Sequence, residues 1–340
     1  MAEGIDKMKA IVISVTGDIS VLQLKEVATP TPSVNQVLIR VMAAAVNFVD
    51  TMIRAGKVPP QMMPALPVIP GVECSGVVEA VGPGVKNLKI GDRVIYMGRG
   101  AAGCYAEFVA ANVDKVWRLP DSVPYDLAAA MPLNYITAYH MFHNLGQVKA
   151  GQTILVHAGA GGVGTALVQL AKIQGAQVIG LTDSPAKMAY VEAQGAQWVI
   201  DYRSENVVQQ VMAITGGKGV KVSFNCVGGQ TLMKDAELLA GLGQVVFYGL
   251  LGGVPTGSLT EFFMGNFTKS LAVRASDINT FYLEDPSGFS NTMKNLLSML
   301  REKKIAPQIL MRFNLKEAAS AHSAIEGGTG KGKIILDVAL

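Results

Sequence analysis

The chain has 340 residues, of which 50% are apolar and 16% charged, and its net charge is only +3. This length and composition suit a folded protein of two domains and exclude a disordered chain. The small net charge gives no electrostatic reason to expect a nucleic acid or an anionic membrane as a partner. The three cysteines are odd in number and far apart, which favours a reducing compartment such as the cytoplasm over a disulfide framework.

The N-terminal part, up to about residue 120, is predicted to be rich in short β-strands. Glycine and proline turns separate the strands, and a helical spacing at residues 46–55 interrupts them. The predicted strands are residues 9–15, 36–45, 76–81, 93–97 and 105–109. Such a pattern is typical of a compact, barrel-like β domain.

The pattern changes after residue 120, where a predicted helix at 127–144 leads into a regular alternation of strands and helices. The predicted strands are 153–157, 177–182, 198–200, 221–226 and 244–249, and the helices between them are 163–174, 185–194, 205–215 and 231–241. This alternation indicates a parallel sheet with helices on both faces. The last part is less regular and ends with helices 289–302 and 315–326 and strand 333–338.

Residues 159–164, with the sequence GAGGVG, match the pattern G-x-G-x-x-G. An apolar strand precedes them and a helix follows, which is the context that this motif requires. Glycines let a pyrophosphate approach the backbone, where the N–H groups at the helix start bind it, so the turn predicts a dinucleotide site. The apolar run 153–171 resembles a membrane span in length, but a buried strand, a glycine turn and a packed helix explain it better.

The end of the second strand of this domain distinguishes NAD from NADP. Asp183 is the type of residue that holds the ribose diol of NAD. Ser184 and Lys187 follow in the same loop, and a hydroxyl with an ammonium suits the 2′-phosphate of NADP. Tyr202 and Arg203, after the third strand, add an aromatic ring and a positive charge. These residues favour NADPH and leave the use of NADH open.

Several motifs together carry a family resemblance: residues 47–50 (NFVD), 71–78 (GVECSGVV), 91–94 (GDRV) and the turn at 158–164. In this order and spacing the chain resembles the medium-chain dehydrogenase/reductase superfamily, and within it the zinc-free quinone oxidoreductases related to zeta-crystallin. The resemblance runs from Lys9 to Val338, which is nearly the whole chain.

The resemblance implies an α/β fold with a GroES-like β-barrel catalytic domain and a doubly wound Rossmann domain. Residues 1–125 and 271–340 would form the first domain and residues 126–270 the second, with the nicotinamide in the cleft between them. The resemblance also implies a homodimer joined through the Rossmann domains.

Site residues follow from the same resemblance. Asn47 and Asp50 would be catalytic, and Tyr135 is a further candidate for the catalytic pocket. The residues expected to contact the cofactor are Asn47, Thr137, Gly161, Gly162, Val163, Ser184, Lys187, Tyr202, Val227, Tyr248, Gly249 and Lys333.

We expect no metal site. Zinc alcohol dehydrogenases of this superfamily have a cysteine where this chain has Val46 or Asn47 and a histidine where it has Val72, and these residues do not bind zinc. His140 and His143 have a spacing compatible with a metal, but no further ligand is evident nearby. Without a Lewis acid the acceptor must take a hydride readily, as quinones and α,β-unsaturated carbonyls do.

Three functions stay open at this point. The first is NADPH-dependent reduction of a quinone or an enone, and the second is reduction of an enoyl thioester on the same fold. The third is a non-enzymatic role as an NADPH-binding crystallin or RNA-binding protein. No basic cluster for the phosphates of coenzyme A is evident, and the net charge of +3 disfavours RNA.

Overall fold

A computed structural model of the chain describes residues 6–328 and 330–338. The strands are β1 (Lys7–Val12), β2 (Gln23–Ala28), β3 (Gln36–Val46), β4 (Glu73–Val81), β5 (Arg93–Met97), β6 (Phe108–Asn112), β7 (Val116–Arg118), β8 (Thr153–Val156), β9 (Gln177–Thr182), β10 (Trp198–Asp201), β11 (Val220–Asn225), β12 (Leu239–Phe247), β13 (Ala272–Ala275), β14 (Ile309–Asn314) and β15 (Lys333–Asp337). The helices are α1 (Phe48–Arg54), α2 (Tyr125–Ala129), α3 (Pro132–Tyr139), α4 (Gly162–Gln174), α5 (Pro185–Gln194), α6 (Val207–Ile214), α7 (Thr231–Leu238), α8 (Leu259–Gly265), α9 (Ile278–Glu284), α10 (Pro286–Arg301) and α11 (Ala318–Glu326). A π-helix at His140–Leu145 continues α3.

The chain divides into two compact units, which we call the outer-segment unit (Met1–Leu133 with Ser290–Leu340) and the central unit (Asn134–Phe289). The first boundary therefore follows Leu133, where the sequence predicts it after residue 125. α2 lies before this boundary because Ala129 packs with Ala43 and Ala45 of β3 in one apolar cluster.

The second boundary follows Phe289, where the sequence predicts it after residue 270. α9 belongs to the central unit, in which the ring of Phe281 stacks on His140 with centroids 4.3 Å apart and packs against Phe289. These aromatic contacts extend the central unit beyond the region of regular strand–helix alternation.

The outer-segment unit contains a seven-stranded sheet in the order β14-β15-β3-β4-β5-β7, and β6 also pairs with β3. Val37, Ile39 and Val41 of β3 point into the core at every second residue, as a strand requires. The register with β4 shifts between Val41 and Ala43, and the inward positions then become Ala44 and Val46. This bulge sets the direction of the residue that follows the strand, which is the predicted site residue at position 47.

The central unit contains a six-stranded sheet in the order β10-β9-β8-β11-β12-β13, and every neighbouring pair in it is parallel. Residues 154–156 of β8 are fully buried, which explains the apolar run in this part of the sequence. Because the strands are parallel, the loops after β8, β9, β11 and β12 leave the same edge of the sheet, where ligands bind in folds of this class.

None of the helices formed by residues 6–328 and 330–338 combines the length and the apolar composition needed to cross a membrane. The apolar run 153–171, which resembles a span in a hydropathy profile, forms β8, the glycine turn and most of α4.

Candidate active site

The glycine turn connects β8, an interior strand of the parallel sheet, to α4. α4 begins at Gly162, and Gly161 is its N-cap in an extended conformation. Because glycine has no side chain, Gly161 offers no side-chain acceptor to the N–H groups of the first helical turn. Such N–H groups, together with the helix dipole, bind anions such as a pyrophosphate. Gly161, Gly162 and Val163 therefore lie together at the start of this helix.

Packing within the central unit also favours glycine at two positions of the turn. A Cβ atom at Gly162 would collide with Nδ2 of Asn134, and one at Gly164 would collide with the carbonyl oxygen of Ala158. Ala158 itself has a φ of 49°, in the left-handed region. The turn is thus tight against its own neighbours, and a side chain at either glycine would displace them.

A charged cluster occupies the loop after β9. Lys187 Nζ lies 2.7 Å from Asp183 Oδ1, and Arg203 Nη2 lies 3.8 Å from Asp183 Oδ2. Ser184 is the N-cap of α5, and its Oγ donates to Asp183 Oδ1 at 3.4 Å. Burial acts to raise the pKa of Asp183, but the bond to Lys187 and the charges of Lys187 and Arg203 outweigh it and lower this pKa. The cluster therefore contains one ionised carboxylate and two cations.

Tyr202 lies beside this charged cluster. Its backbone N–H donates to the carbonyl oxygen of Thr182, directly before Asp183, at 3.0 Å. Its side chain is 50% exposed, so the ring is available to a ligand. Ser184, Lys187 and Tyr202 are thus brought together around the end of β9, as the sequence predicts for a 2′-phosphate site.

The loops after β11 and β12 contact each other. Val227 follows β11, and Tyr248 and Gly249 follow β12. The N–H of Tyr248 donates to the carbonyl oxygen of Asn225 at 3.0 Å. A Cβ atom at Gly249 would lie 2.8 Å from the carbonyl oxygen of Cys226, so this glycine permits the close approach of the two loops.

α3 carries two predicted site residues in different environments. Thr137 is partly exposed, whereas Tyr135 is 1% exposed and its hydroxyl donates to Gln169 Oε1 of α4 at 2.8 Å. Burial raises the pKa of the Tyr135 phenol well above its ordinary value. This geometry gives Tyr135 a structural contact inside the central unit and lends no support to its predicted catalytic role.

The outer-segment unit buries a polar cluster where β3, β4 and β15 run side by side. Asn47, Glu73 and Lys333 form it, and none of them is more than 5% exposed. Lys333 Nζ lies 2.8 Å from Glu73 Oε1 and also donates to Asn47 Oδ1. Asn47 Nδ2 donates to Glu73 Oε1 at 2.9 Å, and Leu133 N–H donates to Glu73 Oε2 at 2.6 Å. Both oxygens of the Glu73 carboxylate therefore accept hydrogen bonds, and both ends of the Asn47 amide are held.

Asp50 lies in the first turn of α1 and is completely buried. Its Oδ2 accepts from the N–H of Asn47 at 2.9 Å and from the hydroxyl of Tyr105 at 3.1 Å. Its Oδ1 has no hydrogen-bond partner among residues 6–328 and 330–338. Burial raises the pKa of Asp50 to about 7, with a contribution from the Glu73 carboxylate, and the two hydrogen bonds and the charge of Lys333 oppose the rise. This carboxyl group can therefore gain or lose a proton near neutral pH.

His322 of α11 lies beside Tyr105, and Asp50, Tyr105 and His322 form one buried group. His322 Nε2 lies 3.4 Å from the Tyr105 hydroxyl, and its Nδ1 is buried with no hydrogen-bond partner in the part of the chain that the structure describes. Burial, assisted by the charge of Arg54, lowers the pKa of His322 to about 3, so the ring is neutral at physiological pH. With a proton on Nε2, His322 donates to the Tyr105 hydroxyl, which in turn donates to Asp50.

Sequence reasoning missed the roles of Glu73, Tyr105 and His322. The signal for Glu73 was available, since an acidic residue in the apolar strand 71–78 needs a buried partner. Tyr105 and His322 are 217 positions apart, and nothing local in the sequence connects them. Of the predicted residues, Asn47, Asp50 and Lys333 belong to the outer-segment unit and the others to the central unit.

Comparisons with known proteins agree with these observations. Residues 33–121 match the family model of the alcohol dehydrogenase GroES-like domain, and residues 162–302 match that of the zinc-binding dehydrogenase. The chain is 33% identical to quinone oxidoreductase 1 of Escherichia coli (strain K12), over 94% of this chain and 96% of that protein. It is also 33% identical to the synaptic vesicle membrane protein VAT-1 homolog-like of Mus musculus, over 98% of this chain and 82% of that protein. The crystal structure of Escherichia coli quinone oxidoreductase complexed with NADPH matches it with a TM-score of 0.89 and 32% identity, over 98% of this chain and 99% of that chain.

The chain belongs to the medium-chain dehydrogenase/reductase superfamily, in its quinone oxidoreductase group. This membership confirms the resemblance predicted from the sequence motifs. It also confirms the α/β fold class, with a GroES-like domain and a Rossmann domain, and identifies the protein as an oxidoreductase.

One of the two family models is described as zinc-binding, but the residues of this superfamily member do not fit that metal. Neither Asn47 nor Val72 is a zinc ligand of the usual kind. The Lys333 ammonium lies against Asn47 and Glu73, so a divalent cation there would face a buried positive charge. In the part of the chain that the structure describes, no three His, Cys, Asp or Glu side chains are grouped so that they could hold a metal ion.

Proposed function

We propose that the protein is an NADPH-dependent, zinc-independent reductase that transfers a hydride to a quinone or an α,β-unsaturated carbonyl. The observation that carries this proposal is the glycine turn at the start of α4, with the charged cluster of Ser184, Lys187 and Arg203 after the neighbouring strand. The turn suits a pyrophosphate and the cluster suits a 2′-phosphate. The homologous quinone oxidoreductase of Escherichia coli was solved with NADPH, which supports the same cofactor here.

The central unit supplies the binding groups in this proposal. NADPH, when bound, supplies the hydride. Backbone N–H groups from Gly162 onward bind the pyrophosphate, and Lys187 and Ser184 bind the 2′-phosphate, with Tyr202 against the adenine. Val227 is assigned to the adenosine ribose, and Thr137, Tyr248 and Gly249 to the nicotinamide end.

The outer-segment unit supplies the residues that we assign to the acceptor side. Asn47 is held at both ends by Glu73 and Lys333, so its amide is preorganised and loses little freedom on ligand binding. Asp50 holds a proton that it can release near neutral pH, because burial raises its pKa to about 7. Reduction of an enone consumes one proton for each hydride, and Asp50 is the group we assign to hold it. Lys333 holds Glu73 and Asn47 in place, and its assignment to the cofactor stays a proposal.

The acceptor class follows from the residues around the polar cluster. The only cation in the cluster of Asn47, Glu73 and Lys333 is an ammonium that is already hydrogen-bonded within it. A weakly electrophilic ketone needs a Lewis acid or a free proton donor at its oxygen, whereas a quinone or an enone delocalises the incoming charge onto its own conjugated oxygen. The cluster therefore favours a conjugated acceptor.

The proposal is tested by anaerobic assays of NADPH oxidation with a panel of quinones, enones and a crotonyl thioester, after metal removal and metal analysis. We expect turnover of quinones or simple enones at a rate that zinc does not change. Preferred turnover of the thioester would replace the proposal with an enoyl-thioester reductase. Dependence on added zinc, or no oxidation of NADPH with any acceptor, would refute it.

We further propose that the protein forms a homodimer through the central unit. β13 is the last strand in the order of the parallel sheet, so one side of it is available for pairing. Nearby apolar side chains are exposed, among them Met264 (67%) and Phe267 (75%). A second copy of the chain would cover these apolar side chains. Light scattering after gel filtration should give twice the mass of the chain, and Phe267→Glu should shift it towards the monomer; a monomeric wild-type protein would refute the dimer.

Two further proposals concern the cellular compartment of the protein and its binding partners. Cys74, Cys104 and Cys226 are buried and unpaired, as in proteins of reducing compartments, so we propose a cytoplasmic location. We propose a small molecule as the ligand of the site, and the net charge of +3 gives no electrostatic reason to expect nucleic-acid binding.

A further inference from the structure

A buried carboxylate in the central unit, that of Asp235 on α7, has no part in the function proposed above. It is 1% exposed and accepts hydrogen bonds on both oxygens. His157 Nε2 lies 3.0 Å from Oδ1. Ser223 Oγ and Asn225 Nδ2 lie 2.7 Å and 2.8 Å from Oδ2. A carboxylate can be buried only when donors surround it in this way, and here all the donors come from two neighbouring strands and their ends.

These donors lie next to two of the loops assigned to the dinucleotide. His157 is the residue between β8 and the glycine turn, and its N–H donates to the carbonyl oxygen of Phe224 in β11 at 3.0 Å. Asn225 is the last residue of β11, directly before the loop that contains Val227. Asp235 therefore joins the start of the pyrophosphate turn to the start of the ribose loop.

The Asn225 amide transmits this contact to the backbone of the ribose loop. Its Oδ1 accepts from the N–H groups of Val227 at 2.9 Å and Gly228 at 3.0 Å. An ionised carboxylate only accepts, and backbone N–H groups only donate. Asp235, together with Thr231 Oγ1, which accepts from Asn225 Nδ2 at 3.1 Å, therefore fixes the Asn225 amide in the orientation that presents its carbonyl oxygen to the loop. With the amide reversed, the NH₂ group would face two N–H donors.

We propose that Asp235 is a positioning residue for the dinucleotide: its carboxylate orients the Asn225 amide, which shapes the Val227–Gly228 loop beside the glycine turn. The inference rests on the proposed function, because that function assigns these loops to the cofactor. Gly228 has a φ of 70°, a conformation that the loop adopts at low cost only with glycine. The two hydrogen bonds from Asn225 hold the loop in that conformation before the cofactor binds, which lowers the ordering cost of binding.

The test exchanges the two groups. Asn225→Asp places a second carboxylate 2.8 Å from Asp235 Oδ2, where like charges repel unless one group takes up a proton. At about pH 8 we expect NADPH to bind about tenfold more weakly than to the wild type, and at about pH 5.5 the loss should largely disappear because a shared proton replaces the amide hydrogen. A merely structural role would not give the cofactor affinity of this variant such a pH dependence.

The double variant Asn225→Asp with Asp235→Asn restores a donor opposite an acceptor, with the two residue types interchanged. We expect it to regain NADPH affinity within about threefold of the wild type at both pH values. Glu237→Gln, which removes an exposed carboxylate from the same helix, is the matched control and should leave binding unchanged. If the double variant folds but binds as weakly as Asn225→Asp, or if Asn225→Asp binds like the wild type at both pH values, the inference is wrong.

A second measurement separates this inference from the proposed function. Hydrogen exchange of the Val227 and Gly228 amides, followed without cofactor, should accelerate in Asn225→Asp at the higher pH relative to the wild type, and return to the wild-type value in the double variant. Unchanged exchange overturns the inference even if NADPH binds. A wild-type protein that binds no dinucleotide refutes the proposed function, while exchange still decides whether Asp235 orders the loop.

Discussion

Replacement of Lys187 by alanine tests the assignment of the 2′-phosphate site. In the structure the ammonium lies 2.7 Å from Asp183 Oδ1, and the two side chains are only 13% and 22% exposed. The variant removes one charge-assisted hydrogen bond to the phosphate, which is worth about 1.5–3 kcal/mol. Of the two cations in this cluster, the variant also leaves Arg203 alone to balance the charge of the Asp183 carboxylate, at 3.8 Å. NADPH should therefore bind about 10–100-fold more weakly.

NADH lacks the 2′-phosphate, so its affinity should change by less than about threefold in the same variant. Fluorescence titrations of both cofactors with wild-type protein and variant give the two ratios directly. Lys218→Ala, at an exposed lysine of the same unit, is the control for a general loss of positive charge. Equal weakening of NADPH and NADH would refute the assignment of Lys187 to the 2′-phosphate.

Three further predictions concern Asp183 and Gly162 of the central unit and Asp50 of the outer-segment unit. Asp183→Asn should improve NADPH binding and weaken NADH binding, because the carboxylate competes with a phosphate and accepts from a ribose hydroxyl; titrations that show no change in the ratio would contradict this. Gly162→Val should lower the thermal unfolding temperature as well as abolish binding, since its Cβ would collide with Asn134 before it met any ligand. The pKa of Asp50 is raised to about 7 from an ordinary value of about 3.9. The folded state therefore binds more protons than the unfolded state between about pH 4 and 7, and the free energy of unfolding falls as the pH rises through that window. Asp50→Asn should flatten this dependence in denaturant unfolding measured across the window, and an unchanged slope would exclude Asp50 as its source.

Local signals in the sequence were sufficient for several elements of the central unit. β9 and α5 have the predicted bounds because both ends of α5 are marked, by Pro185 at its start and by Gly195 at its end. The predicted helix 127–144 is wrong as a single element. It forms α2, α3 and a π-helix, because Pro132 starts a new helix and removes the N–H that continuity needs.

Elements without such signals were not predicted. β13 and α9 lie in the less regular part after about residue 270, and α8 lies between that part and the predicted strand 244–249. Apolar side chains such as Phe267 are exposed in this region, and no single period dominates. The strand predicted at residues 105–109 is found at Phe108–Asn112, because Tyr105 points into the buried group with Asp50. The tertiary contact of Tyr105 with Asp50 therefore determines where this strand starts.

The cofactor side of the site was easier to predict than the acceptor side. The glycine turn and the loop with Lys187 each lie within a few neighbouring residues, so their chemistry is visible in the sequence. The contacts of Lys333 with Asn47, 286 positions apart, and of His157 with Asp235, 78 positions apart, exist only after folding. The sequence therefore predicts a dinucleotide site from local residues, but it does not predict the buried contacts that surround that site.

A single-turnover experiment on metal-depleted protein tests the central claim most directly. Anaerobic protein loaded with one equivalent of NADPH is mixed rapidly with a quinone or an enone, and the nicotinamide absorbance is followed. We predict complete oxidation of the bound NADPH in one exponential phase, at the same rate with and without added zinc. No oxidation above the rate in free solution, or oxidation that appears only when zinc is restored, would contradict the account.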